Sequence, residues 1–427
     1  MRVSAKLPCL HDLPTVMSRF LHRCAFLSFL LLSLAACTAS PTRPAAPATP
    51  LLLVSIDGLR ADALGRGDTP VLDRLARDGV HAEGMRPSYP VLTFPNHYTL
   101  ATGLRPDHHG VVHNSMKDPQ LGRFVVADAQ AATVAGWWQA EPLWTTAERA
   151  NLATAVWAWP GATAARDGIL PRQRQAFDET IPMDERIERV AGWVTAPQGP
   201  RPALLAMYFE VVDGAGHDHG PHAQQTRAAI REVDTAIGEL LSRLEQAGVV
   251  PNVVVVSDHG MADAPNLIAV EDMAAMEEAE VVSIGQVIGL APREGHEATV
   301  RARLLGRQQR YECWEKPAIP ARLHYGTHPR IPPIVCQMAE GWNALPRAMI
   351  ERRDAAGVHN AGAHGYDPDL PSMRAVFLAH GPAFRTGMRL PVIDNVDVYP
   401  LLVRILGLPL RQGDGDPATL APVLASP

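Results

Sequence analysis

Residues 252–260 read NVVVVSDHG, four consecutive valines that break off into Ser257, Asp258 and His259. An unbroken apolar run this short fits a strand buried on both faces, because a strand with one wet face would alternate polar and apolar side chains. LLLVSID (51–57), ATAVWAW (153–159), PALLAMYFEVV (202–212) and MRAVFLAHG (373–381) follow the same plan. Helical patterns separate them. TPVLDRLARDG (69–79) has Pro70 at its start and Gly79 at its end, and DERIERVAGWV (184–194) follows the second strand. Ala228, Ile230, Val233, Ile237, Leu240, Leu241 and Leu244 mark one face of a long helix reaching about Ala247, and VYPLLVRILG (398–407) predicts a last one. Strands and helices in alternation predict an α/β fold with a mostly parallel central sheet and helices on both faces.

The rhythm fails between residues 262 and 355, which are rich in Arg, Glu, Pro and Trp and too long for a plain loop in a compact domain. The expected organisation is an α/β catalytic domain over 51–261 and 356–420, interrupted by a small β-rich, lid-like subdomain over 262–355.

The first fifty residues read as an address. Arg19 and Arg23 precede Cys24–Ala36, thirteen mostly apolar residues, which suit a signal-peptide core better than a membrane span. Residues 1–36 form the expected signal, with translation starting at Met1 or Met17. Leu34, Ala35, Ala36 and Cys37 resemble a bacterial lipobox, in which Cys37 is lipidated. The Pro- and Ala-rich segment 37–50 then serves as a tether, of roughly 40 Å if extended as polyproline II. The expectation is an exported bacterial protein, periplasmic or in the cell envelope, held to a membrane through Cys37. In that compartment Cys313 and Cys336, the only cysteines left in the exported domain, form either one disulfide or two buried thiols.

The 427 residues carry 39 basic and 45 acidic side chains, and removing residues 1–36 deepens the negative balance. A partner such as a nucleic-acid duplex, held by broad phosphate neutralisation, is excluded; a small phosphate substrate met by bound cations is not. Asp57, Asp213 with His217, and Asp258 with His259 all fall where strands end, the place where α/β sheets gather functional groups. His359 and His364 lie in VHNAGAHGYDP before the next strand. Three Asp and three His suit two zinc sites with open positions. Thr93, between Pro90 and Pro95 at a helix entry, is the candidate nucleophile, with a plain helix cap as the bland alternative.

VSIDGLR, TFPNHYTLATG, a D-x-x-x-H pair followed by GP, SDHGM and HGY occur in this order. TGLRPDHHGVVHN and the WPG at 159–161 lie between them. Together they resemble the nucleotide pyrophosphatase/phosphodiesterase family of the alkaline phosphatase superfamily. The resemblance implies two Zn2+ ions, one on Asp213, His217 and His364 and one on Asp57, Asp258 and His259. Thr93 would be the nucleophile beside the second ion, forming a phosphothreonine. Asn114 would donate to a phosphoryl oxygen, aided by the Phe94 N–H, and His359 falls outside the ligand set as a supporting or structural residue.

Phe94, Tyr208 and Phe177 would present aromatic faces to a base, each with core packing as its alternative. The stretch after WPG reads LPRQRQAF, without the tyrosine often seen there in the family, which bears on nucleotide preference. The expected substrate is a nucleotide-type phosphodiester or pyrophosphate, cleaved to release a nucleoside monophosphate. Phospholipid head-group diesters, phosphonates or phosphate monoesters are alternatives using the same site. Sulfatase chemistry is disfavoured, since no C-x-P-x-R motif occurs, and a dead binding module would lack ligands that are all present here.

The lipobox reading is directly testable. Cys37→Ser is expected to move the protein from the membrane to the soluble fraction; unchanged membrane association would refute it.

Overall fold

The computed structural model describes residues 49–196, 200–357 and 361–425. The signal, the tether, Cys37 and His359 lie outside them. Among the described residues no helix is long and apolar enough to cross a membrane.

Eight strands form the central sheet: β1 (Leu51–Ile56), β2 (Val80–Ala82), β3 (Thr154–Trp157), β4 (Gln173–Gln175), β5 (Leu204–Phe209), β6 (Asn252–Val256), β7 (Phe377–His380) and β8 (Met388–Leu390). Their spatial order is β8-β2-β7-β6-β1-β5-β3-β4. The segment from β6 to β4 is parallel, with Ser55 of β1 level with Val256 of β6 and Tyr208 of β5. β7 runs antiparallel to β6 and β2, so the sheet is mixed at one side. The apolar runs are explained by position: every residue of β1, β5 and β6 is buried. Each such Leu, Val or Ile stabilises the fold by roughly 1.5–3 kcal/mol relative to exposure.

Helices cover the sheet in two groups. α1 (Pro70–Asp78), α3 (Met183–Thr195) and α5 (Gln224–Gln246) pack together; α2 (Thr93–Thr102) packs with Leu143–Arg149 and Val398–Ile405. On α5 the buried Ile230, Val233, Ile237, Leu240 and Leu244 recur at helical spacing. Buried Asp234 interrupts that stripe because its carboxylate accepts the Val71 and Leu72 N–H groups, capping α1 from another helix. The apolar pattern of 202–212 proves to be two elements. β5 stops at Phe209, and Val211 and Val212 open α4 (Val211–His219), so Asp213 and His217 lie on one helix face.

Residues 279–283, 287–292, 334–338, 311–315 and 306–307 form a separate five-stranded antiparallel sheet with its own core, including Ile288, Leu290, Ile334 and Tyr366. Cys313 and Cys336 face each other across two of its strands and form a disulfide. The chain leaves at Ala262–Asp263 and returns antiparallel to it at Gly362–Ala363.

This sheet is fastened to the main body by two polar clusters. Buried Arg330 donates to Asp118 and to the carbonyls of Gly110, Trp137 and Gly136, with its guanidinium over the Trp137 ring. In return Asp107 accepts the N–H groups of Gly326, Thr327 and His328 and the Thr327 hydroxyl.

Removing the Arg330 guanidinium deprives Asp118 Oδ2 and three carbonyls of their donor. Arg330→Ala should lower unfolding stability on the order of 3 kcal/mol in a urea titration. A loss under about 1 kcal/mol would show that this cluster does not hold the two sheets together.

Candidate active site

The site forms at the carboxyl edge of the parallel strands, where peptide N–H groups and helix starts leave polar space. Asp57 follows β1, and Asp258 and His259 follow β6. Asp213 sits in the first turn of α4, where the helix dipole favours a carboxylate, and His217 stands one turn on. His364 follows the returning strand, and Thr93 is the first residue of α2, with Leu92 at the cap position. Leu92 caps the helix with no side-chain bond, and the Thr93 hydroxyl meets His259 Nε2 rather than a helix N–H. Its hydroxyl therefore stays available at the positive end of the helix.

Two glycines permit the crowding. Gly58 takes φ +68° and donates its N–H to Asp258 Oδ1 at 3.2 Å, and a Cβ there would meet Asp213 at 3.0 Å. A Cβ on Gly260 would stand 2.1 Å from the Ser372 carbonyl oxygen. Only a residue lacking a side chain lets the backbone after His259 pass that close.

The donor atoms converge. One oxygen or nitrogen from each of Asp57, Asp258 and His259 lies within 4.8 Å of the others, and the same holds for Asp213, His259 and His364. His217 Nε2 is 3.4 Å from Asp213 Oδ2, and its ring centre is 5.1 Å from that of His364. His259 stands between the two groups, stacked on His364 at 3.6 Å. All six expected ligands are thus brought together, with His259 closer to the Asp213 group than a clean division into two triads implies.

Whether these residues fit cations can be judged from their hydrogen bonds. His217 Nδ1 lies 2.9 Å from the Gly362 carbonyl, His259 Nδ1 3.0 Å from that of Gly260, and His364 Nδ1 2.9 Å from that of Val91. A carbonyl only accepts, so each Nδ1 carries a proton and Nε2 is the ring atom turned into the site. Asp57 Oδ1, Asp213 Oδ1 and Asp258 Oδ2 are buried and have no hydrogen-bond partner. His259 Nε2 is 2.9 Å from Asp258 Oδ2, but without hydrogen-bond geometry. Buried lone pairs facing one another are costly unless positive charge stands among them. This donor set fits divalent cations, and its nitrogen and carboxylate chemistry suits zinc.

The electrostatics give the same reading. Burial, then the charges of Asp258 and Asp213, push the Asp57 carboxyl well above its ordinary range. Burial would also raise Asp258, but the neighbouring His259 and His97 outweigh it and hold that carboxyl well below. Burial lowers His259, yet Asp258 more than offsets it and the net shift is upward. His364 is driven well below its usual value by burial and by the neighbouring His259 and His217.

The Thr93 hydroxyl lies 3.4 Å from His259 Nε2. It faces a pocket of about 340 Å³ lined by Asp57, Asp213, Phe94, Asn114, Trp159, Phe177 and Tyr208, among others. The Phe94 N–H donates to Asn114 Oδ1 at 3.0 Å. This differs from the expected arrangement: the peptide group is spent on orienting Asn114, leaving Nδ2 as the donor. Phe94 packs between Phe124 and Trp138, with ring centres 5.8 and 5.9 Å away, while Phe177 is half exposed at the pocket edge. Tyr208 is buried, and its hydroxyl donates to Asp57 Oδ2 at 2.6 Å. Burial, then the Asp57 charge, push that hydroxyl well above its usual range and keep it a donor.

His97 had no assigned role in the sequence. Its Nδ1–H donates to the Thr93 carbonyl at 2.9 Å, Nε2 accepts from Ser55 Oγ at 2.8 Å, and Nδ1 is 3.4 Å from Asp258 Oδ2. Its only signal was its place four residues after Thr93 in TFPNH, one helical turn along.

Residues 51–367 match the family model described as type I phosphodiesterase / nucleotide pyrophosphatase. An uncharacterised pyrophosphatase/phosphodiesterase of Schizosaccharomyces pombe is 34% identical over 86% of this chain and 78% of its own length. Ectonucleotide pyrophosphatase/phosphodiesterase family member 1 of Mus musculus is 31% identical over 88% of this chain, which spans only 43% of that protein. The solved structure of murine ectonucleotide pyrophosphatase/phosphodiesterase 5 superposes with a TM-score of 0.82 at 31% identity, covering 88% of this chain and all of the other. An inactive threonine-to-alanine variant of that protein, in complex with AMP, matches equally well. Strand-end ligands, fold and extended likeness agree: the chain belongs to the type I phosphodiesterase / nucleotide pyrophosphatase family of hydrolases.

Proposed function

We propose that this protein is a two-zinc phosphodiesterase that cleaves nucleotide-type phosphodiester or pyrophosphate bonds and releases a nucleoside monophosphate through a phosphothreonine. The observation that carries the reading is the Thr93 hydroxyl, free at a helix start, 3.4 Å from a metal-type nitrogen and facing an aromatic-walled pocket. The AMP complex of the murine relative supports a nucleotide, and its inactive threonine-to-alanine form supports a threonine at the chemical step.

Bound zinc ions supply two effects, easier ionisation of a hydroxyl or water and neutralisation of charge on the departing oxygen. Asp213, His217 and His364 would hold one, and Asp57, Asp258 and His259 the other. The chain's own groups do the rest. Thr93 Oγ1 loses its proton to water and attacks phosphorus in line; the Oγ1–P bond forms as the bond to the leaving oxygen breaks, that oxygen takes a proton from water, and the α2 N-terminus favours negative charge on Oγ1. Asn114 Nδ2, oriented by the Phe94 N–H, donates to a phosphoryl oxygen. A water then breaks the Oγ1–P bond, restoring Thr93 and releasing the monophosphate.

The base would lie against Phe177 and the Tyr208 ring. Among the described residues no Lys or Arg lines this pocket, and Thr133, Thr163 and Gln175 offer polar atoms to a base edge. The exported, lipid-anchored location through Cys37 belongs to the same proposal.

Purified protein with defined zinc is expected to hydrolyse the nitrophenyl ester of thymidine monophosphate faster than nitrophenyl phosphate or nitrophenyl phosphocholine. Thr93→Ala should cut that rate by roughly 10³-fold or more. Preference for the monoester or the choline ester would overturn the substrate class, and retained activity in the variant would overturn the covalent route.

A further inference from the structure

The pocket wall and the metal-type cluster share one side chain. Tyr208 lines the pocket, its ring 6.2 Å from that of Phe177 between centres, and its hydroxyl donates to Asp57 Oδ2. A phenol has one proton to give, so this bond selects which carboxylate oxygen is satisfied. The other, Oδ1, is left without a partner and lies 3.5 Å from His259 Nε2. Asp57 could present either oxygen by rotation about its terminal torsion, and the hydroxyl removes that choice.

The ring itself is held. His97 packs edge-on against it at 4.9 Å, and the Trp159 ring packs edge-on against His97 at 5.3 Å. His97 is tied in turn to Ser55 on β1 and to the Thr93 carbonyl, while Trp159 Nε1 donates to the His97 carbonyl. Tyr208 belongs to β5 and is level with Ser55 of the adjoining β1, so the strand pairing fixes its height relative to Asp57 two residues on.

We infer that Tyr208 is a positioning residue that presents Asp57 Oδ1 to a cation, in addition to walling the substrate pocket. The inference rests on the two-zinc reading above. Outer hydrogen bonds that orient a metal ligand typically govern affinity by 10- to 100-fold. A tyrosine acting only as a pocket wall would contribute through its ring alone and leave metal affinity untouched.

Tyr208→Phe separates the two, because it keeps the ring and deletes the hydroxyl. In a chelator competition, full-length wild-type protein is expected to take up two zinc ions. The variant should hold one of them 10- to 100-fold more weakly. The zinc-induced rise in melting temperature should shrink correspondingly, which also shows that the variant folds. Phe177→Ala is the counterpart: it should raise KM and leave zinc affinity unchanged. Wild-type zinc affinity in Tyr208→Phe would overturn the assignment while leaving the two-zinc reading intact. A wild-type protein that takes up no divalent metal would overturn both. A Tyr208→Phe variant with a raised KM and unchanged zinc affinity would make Tyr208 a pocket wall only.

Discussion

Three carboxylates with unpartnered, buried oxygens point into one small volume, and the rest of the structure is arranged around that convergence. Asp57, Asp213 and Asp258 could not share this space as free anions, since desolvating each costs several kcal/mol and their mutual repulsion adds to it. Cations resolve the conflict. The three histidines conform to the same demand, because every Nδ1 is tied to a main-chain carbonyl, which turns every Nε2 into the site. A fold that ends its apolar strands in this way gathers unfavourable electrostatics at one point, which bound divalent cations would offset.

The convergence depends on parts far apart in the chain. β1, β5 and β6 are adjacent and parallel, so Asp57, the start of α4 and the Asp258–His259 pair emerge side by side from one edge. The intervening second sheet leaves through Ala262–Asp263 and comes back beside it. That closure returns the chain at Gly362, whose carbonyl orients His217, two residues before His364 enters the site. Fixing the second sheet through Arg330 and Asp107 therefore also holds one end of the metal cluster in place.

Much of this was legible in the sequence. The unbroken apolar runs announced buried parallel strands, and polar residues at their ends marked the site. The helix start at Thr93 was legible from the flanking prolines. What stayed hidden has long-range partners with no local pattern. Arg330 reads as one more arginine in an irregular stretch, since the carbonyls it satisfies belong to residues 110, 136 and 137. Asp234 looks like a flaw in an amphipathic stripe until it is seen capping another helix. The break between β5 and α4 was masked because Val211 and Val212 continue the apolar run while the backbone changes from strand to helix. Tyr208 reads from sequence as an aromatic wall, and only the placement of Asp57 beside it shows what its hydroxyl does.

The most direct test of the account is anomalous diffraction at the zinc edge from crystals of the zinc-loaded protein. Two peaks are expected, one among Asp57, Asp258 and His259 and one among Asp213, His217 and His364, with Thr93 beside the first. A single peak, or peaks away from these six residues, would contradict it.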